Sequence, residues 1–191
     1  MTSPAHAIAG MLALSRRQAP SYTAAAVLGG ILPDLPMVIF YLVHKIFLRS
    51  LEGEIWTHFY FLPAWQGLFD AFHSLPLIAI VMIVSWRLGS RNALVLSAAM
   101  ALHVALDLPF HHDDAHRHFF PFSDWRFASP LSYWDPSHFG TSVFWVETAF
   151  VLIGAVILLR RHRRPGPRLT AAAIAAAYVA FVGYSLWVWV L

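Results

Sequence analysis

The stretch from Ala101 to Phe122, ALHVALDLPFHHDDAHRHFFPF, begins as an apolar helix and becomes a cluster of histidines and aspartates. His103 and Asp107 stand four apart, which stacks them on one helix face and lets an imidazole and a carboxylate reach the same ion. Together they suit zinc, manganese or iron. Burying them unpaired in apolar surroundings would be costly, so a compensating partner is required. Pro109 stops the helix, and His111, His112, Asp113, Asp114, His116 and His118 follow in a loop. For any one of these loop residues, an ordinary solvated side chain is the competing reading. Asp135 and His138 lead into the next apolar segment, and Glu147 stands roughly two turns inside it. Glu147 is a candidate ligand or general base, with pairing to a neighbouring helix as the alternative.

These residues belong to a chain built for a membrane. Hydrophobic residues make up 59% of it, charged ones 12%, and mean hydropathy is +0.60, too apolar for an ordinary soluble domain. No linker, low-complexity run or repeat divides residues 1–191, which predicts a single all-α, integral-membrane domain with a loop over 109–140. Sustained alternation is absent and the apolar runs are rich in Ala and Leu, so strands are not expected. There is no cysteine, which excludes disulfides and thiolate ligands. The charge of +3 and pI near 9.6 arise from arginines at the ends of apolar segments, a pattern that orients a membrane protein and excludes nucleic acid as a partner. No positive charge precedes the first apolar stretch, so a cleaved signal peptide is not expected.

The clearest spans are Leu75 to Trp86, Ala93 to Leu108, Ser142 to Leu159 and Leu169 to Leu191, the first two short for a hydrocarbon core of about 30 Å. Further apolar stretches run from Pro4 to Leu14, Tyr22 to Leu32, Pro36 to Leu48 and Ile55 to Phe72. Arg16 and Arg17, Arg87 and Arg91, and the run from Arg160 to Arg168 fall between consecutive segments, as cytoplasmic loops require. Threading the chain on that rule brings His6, Asp34, His73, His103, Asp107 and the long loop to the opposite end of one bundle. The expectation is therefore a polytopic helical bundle with a His/Asp cluster at one membrane face. Gly29 and Gly30 are expected to allow close packing and a turn that presents Asp34.

The motifs SPAHAIAG, GGILPDLP, FHSLPL, LHVALD and FFPFS, in this order over roughly the first two thirds of the chain, resemble the YdjM-like membrane-bound metal-dependent hydrolases of bacteria and archaea. The resemblance implies that His6, Asp34, His73, His103 and Asp107 are metal ligands, and it places the chain in a cytoplasmic membrane. The set is also distantly similar to the all-α zinc-dependent phospholipase C and nuclease fold, with several zinc ions. Two departures stand out. Pro36 occupies the place of a second acid after Pro-Asp, and Leu68, Phe69 and Asp70 stand where the family has His-Arg-Gly. Replacement ligands would come from His111, Asp114 and His116, or from His138.

The chemistry this implies is hydrolysis of a phosphoester, small or lipid-like, by water activated on one or more divalent ions, zinc first, at the non-cytoplasmic boundary. Asp34 is the first candidate for general base, with Glu147 and Asp114 behind it. A divalent-metal transporter or metal sensor is the rival reading, since intramembrane His and Asp also mark ion paths. His44 and His58 read as structural, Ser74 as a helix cap, and Trp125, Trp134, Trp187 and Trp189 as interfacial aromatics.

Overall fold

The computed structural model describes residues 1–15 and 20–189, which contain helices and loops and no strand. Arg16 and Arg17 lie outside the described residues, as does the side chain of Trp189. Helix α1 (Ser3–Leu14) is followed by α2 (Pro20–Ile31) and α3 (Leu35–Leu42), then by short α4 (Glu52–Thr57) and α5 (Pro63–Phe72). The chain continues through α6 (Leu75–Arg87) and α7 (Arg91–Asp107), a long loop, α8 (Gly140–Arg161) and α9 (Pro165–Trp189).

Among the described residues, four helices are long and apolar enough to cross a membrane: Ser21–Phe47, Arg91–Phe110, Gly140–Arg161 and Pro165–Trp187. The chain is thus a polytopic helical membrane protein. Its lipid-facing sides carry exposed Val38, Ile39, Ile83, Ile153 and Val179, as a hydrocarbon surrounding demands. Helices α5 and α6 form a further apolar pair, bent by 41° at a short break.

One expectation is corrected. The stretches Tyr22 to Leu32 and Pro36 to Leu48 are not separate, and Pro-Asp makes no turn between them. The helix tightens to a 3₁₀ stretch over Leu32–Asp34 and runs on through α3. Pro33 and Pro36 each fall in a first-turn position of the restarted helix, where a missing N–H costs nothing and the fixed φ fits. Asp34 therefore stands midway along Ser21–Phe47, thirteen residues from either end, rather than at the end of a span.

Helix α1 is too short to cross a bilayer and is enclosed by α2, α7, α8 and α9. Its residues from Ala5 to Met11 are all buried, as suits a helix that is apolar on every side. Glycines let α2 approach this closely. A Cβ on Gly29 would lie 2.1 Å from the Leu96 carbonyl oxygen, and one on Gly30 would lie 2.7 Å from that of His6. Below His6 the interior is a dry core of Ile8, Met11, Val151, Leu158, Ala171 and Tyr178. At the far end Arg161 donates to the Leu12 carbonyl and Ser15 meets His162, so the α8 arginines share an end with the α1 C-terminus.

Candidate metal centre

Every donor in the centre comes from a place where a helix begins, ends or changes pitch. Asp34 sits in the 3₁₀ stretch, His73 at the bend between α5 and α6, and Asp107 on the last turn of α7 with His103 one turn earlier. Asp34, His73, His103 and Asp107 each offer one ligand atom, and these four atoms lie within 4.8 Å of one another. Such a set is able to hold one metal ion.

The histidines are pre-oriented. His103 Nδ1–H donates to the Gly30 carbonyl at 2.8 Å, and His73 Nδ1–H donates to the Phe69 carbonyl at 2.9 Å. With Nδ1 committed as donor, Nε2 is the lone-pair nitrogen on each ring and is turned to the site. His103 Nε2 lies 2.9 Å from Asp107 Oδ2 and 3.5 Å from Asp34 Oδ1, and His73 Nε2 lies 3.9 Å from Asp107 Oδ2. Neither nitrogen makes a hydrogen bond, despite these short distances. A buried polar atom left unpaired costs about 1–3 kcal/mol, and a cation between nitrogens and carboxylates would satisfy them together. The donor set, two imidazoles and two carboxylates without sulfur, fits zinc, manganese or iron.

Around this set the other residues named from the sequence take different places. His6 stacks on His103 with ring centroids 3.6 Å apart and puts Nε2 at 2.9 Å from Asp107 Oδ1. The Met1 amino group also contacts Asp107 Oδ1. His111 Nε2 lies 3.5 Å from the same oxygen, while its Nδ1 meets Asp114 Oδ2 at 2.9 Å. Burial pushes the His111 imidazole down, but Asp107 and Asp114 outweigh it and hold its pKa at about 9. Burial pushes the Asp114 carboxyl up, and the His111 hydrogen bond overcomes this and holds it below its usual range. His116 stacks on His73 at 3.9 Å, with its Nε2 buried and unpaired.

His138 is not brought to the set. It pairs with Asp135 at 2.7 Å and stacks on His112 at the outer rim. Glu147 is buried, as expected, but its carboxylate accepts from the Thr2 N–H and hydroxyl. It thus anchors the start of α1. His44 packs in an aromatic cluster with Phe40, Phe59 and Trp65, away from the centre, and Ser74 caps α6 by accepting from Leu77 N–H.

Several contributors stand outside the expected ligand set. Ser3 Oγ donates to Asp34 Oδ2. Asp70, fully buried, accepts from the Arg117 N–H and guanidinium and lies 3.6 Å from both His116 Nδ1 and Arg126. This clip fastens the loop to α5. Its signal was a lone acid on an apolar helix one turn before His73. His118 turns into a separate cavity of about 230 Å³ walled by Leu75, Val104, Leu108, Phe119 and Trp125, with both ring nitrogens unpaired.

Comparison with known proteins agrees with this organisation. The family described as YdjM inner membrane protein matches residues 1–189, whereas no curated protein and no solved structure matches the chain. With its spanning helices and buried His/Asp group, this chain belongs to the YdjM inner membrane protein family.

Proposed function

We propose that the protein is a membrane-embedded, metal-dependent hydrolase acting on a phosphoester. The observation that carries this reading is the buried set Asp34, His73, His103 and Asp107, with its two unpaired histidine nitrogens. A divalent ion held there, zinc in first place, supplies Lewis acidity toward a phosphoryl oxygen and an acidified water. Asp34 is the carboxylate that both belongs to the set and lines a cavity. Its Oδ1 faces His103 and its Oδ2 is held by Ser3, so Asp34 receives the proton of the attacking water. Water adds to phosphorus, the phosphorus–oxygen bond to the alcohol breaks, and the alcohol leaves with the proton that Asp34 took from the water. Asp114 orients His111, and Glu147 positions α1 through Thr2, so both act as positioning residues. His6, His111 and His116 surround that set. The arginine-rich ends lie on the cytoplasmic side and the centre toward the opposite one.

A transporter is the second reading, favoured by the position of Asp34 midway along its helix, the depth at which transporters place their sites. Against it stands the apolar core of Ile8, Met11, Val151 and Leu158, fully buried between the centre and the arginine-rich end. No second His/Asp set occurs among the described residues. The test is a pair of assays on purified protein: release of nitrophenol from p-nitrophenyl phosphate, and divalent-metal uptake into reconstituted vesicles. Zinc-dependent release that Asp34→Asn abolishes supports the hydrolase, and uptake without release replaces it with the transporter.

A further inference from the structure

Beside the four-residue set lies a cavity of about 330 Å³, a size that ligand sites begin at, roughly 300 Å³. Its polar wall includes Asp34, His111 and Tyr133, and its apolar wall includes Met37 and Val38 of α3 and Phe181 of α9. The rim residues Val38 and Phe181 are 46% and 42% exposed, whereas Asp34 is 8% exposed. The cavity thus runs from the outer apolar surface inward to the carboxylate.

The rim stands on two membrane-spanning helices, Ser21–Phe47 and Pro165–Trp187. The surface beside the mouth is apolar as well, with Leu35, Ile39 and Leu42 exposed on α3 and Val179 on α9. An opening flanked in this way meets hydrocarbon rather than water. On the loop side, by contrast, Ala115 and His116 are buried, the latter stacked on His73.

We propose that the cavity admits a membrane lipid sideways between α3 and α9, with its phosphoester head against Asp34 and His111 and its hydrocarbon chain left in the bilayer. The proposal rests on the metal-hydrolase reading of the same site, because breaking the phosphoester bond there needs the divalent ion beside Asp34. The chemistry is the hydrolysis already given, with water consumed, the headgroup phosphorus–oxygen bond broken and the lipid alcohol retained in the membrane. Apolar walls fit the chain, and Tyr133 adds a hydroxyl at the polar end.

The test uses the zinc-loaded full chain in phosphatidylcholine nanodiscs containing phosphatidic acid with a photoreactive diazirine in its acyl chain. Irradiation is expected to label α3 around Met37 to Leu42 and α9 around Tyr178 to Tyr184. Val38→Trp, which fills the mouth, is expected to cut that labelling about tenfold. Ile39→Trp, equally exposed on the same helix but outside the cavity lining, should leave it unchanged and controls for folding. Even or absent labelling, or labelling indifferent to Val38→Trp, overturns the lateral entry. Patterned labelling without phosphate release from phosphatidic acid leaves the entry standing and overturns the hydrolytic reading; phosphate release with indifferent labelling does the reverse.

Discussion

The Nδ1–H of His103 on α7 donates to the carbonyl oxygen of Gly30 on α2 at 2.8 Å, joining residues 73 positions apart. This bond sets which nitrogen of His103 faces the carboxylates, and it exists because Gly29 lets α2 lie against α7 while Gly30 lets it lie against α1. A methyl on Gly30 would stand 2.7 Å from the His6 carbonyl oxygen, so Gly30→Ala must push the helices apart and withdraw the acceptor. Zinc affinity is expected to fall about 10- to 100-fold, the usual effect of losing such a supporting contact. Calorimetric titration of the variant measures this, and an unchanged affinity would break the link between helix packing and ligand orientation.

The Asp70 clip gives a prediction about the loop. Asp70→Ala removes the buried partner of two partly exposed guanidiniums, leaving Arg117 with Asp124 and Arg126 with the Ala115 carbonyl, and is expected to cost about 1–3 kcal/mol. Limited proteolysis with trypsin should then cut at Arg117 or Arg126 in the variant while the wild-type loop resists. Equal resistance in both would mean that the loop is held by other contacts.

His118 makes stability depend on pH. In the unfolded chain an imidazole titrates near 6.5, whereas burial, with the charges of His116 and His111 behind it, holds folded His118 at about 4. Between these values the unfolded chain takes up a proton that the folded protein refuses. The penalty is absent above pH 6.5, grows as the pH falls and is complete below 4. His118→Leu, which suits the apolar cavity, should therefore flatten the fall in melting temperature over that window, by the equivalent of about 1–3 kcal/mol at its acid end. Parallel curves for wild type and variant would contradict the assignment.

Orientation is checked by labelling, which the lack of native cysteine makes clean. The Asp124 side chain is 89% exposed at the loop surface. Asp124→Cys should react from outside intact cells with an impermeant thiol reagent, while a reporter fused after Arg164 should read as cytoplasmic. The opposite pair of results would turn the centre toward the cytoplasm.

The approach of His73 to His103 and Asp107 was legible in the sequence because the arginines between α6 and α7 put the start of one beside the end of the other, and a four-residue spacing sets His103 against Asp107, whereas Asp34 joins them from the middle of its span and not from the expected end. The continuity of the helix through Pro33 and Asp34 was not legible. Gly-Gly followed by Pro is the ordinary signal of a turn, and only the packing of Gly29 on Leu96 and Gly30 on His6 shows that these glycines serve close approach instead. The loop histidines divide for a similar reason. His116 and His138 look alike in sequence, and what separates them is the path of the chain: the His118 carbonyl accepts from Leu75 N–H and draws the first part of the loop inward. Asp70 is 47 positions from its partner Arg117, a distance over which no local period speaks.

The central claim is that the buried His/Asp set holds a divalent ion, and metal analysis tests it most directly. Protein purified without chelator, then exchanged into metal-free buffer, should carry at least one zinc, manganese or iron per chain. His103→Ala and Asp107→Ala, each folded by circular dichroism, should lose it with a drop in affinity of about 10-fold or more. Wild-type protein that neither carries nor takes up a divalent ion, or variants that retain the full amount, would contradict the account.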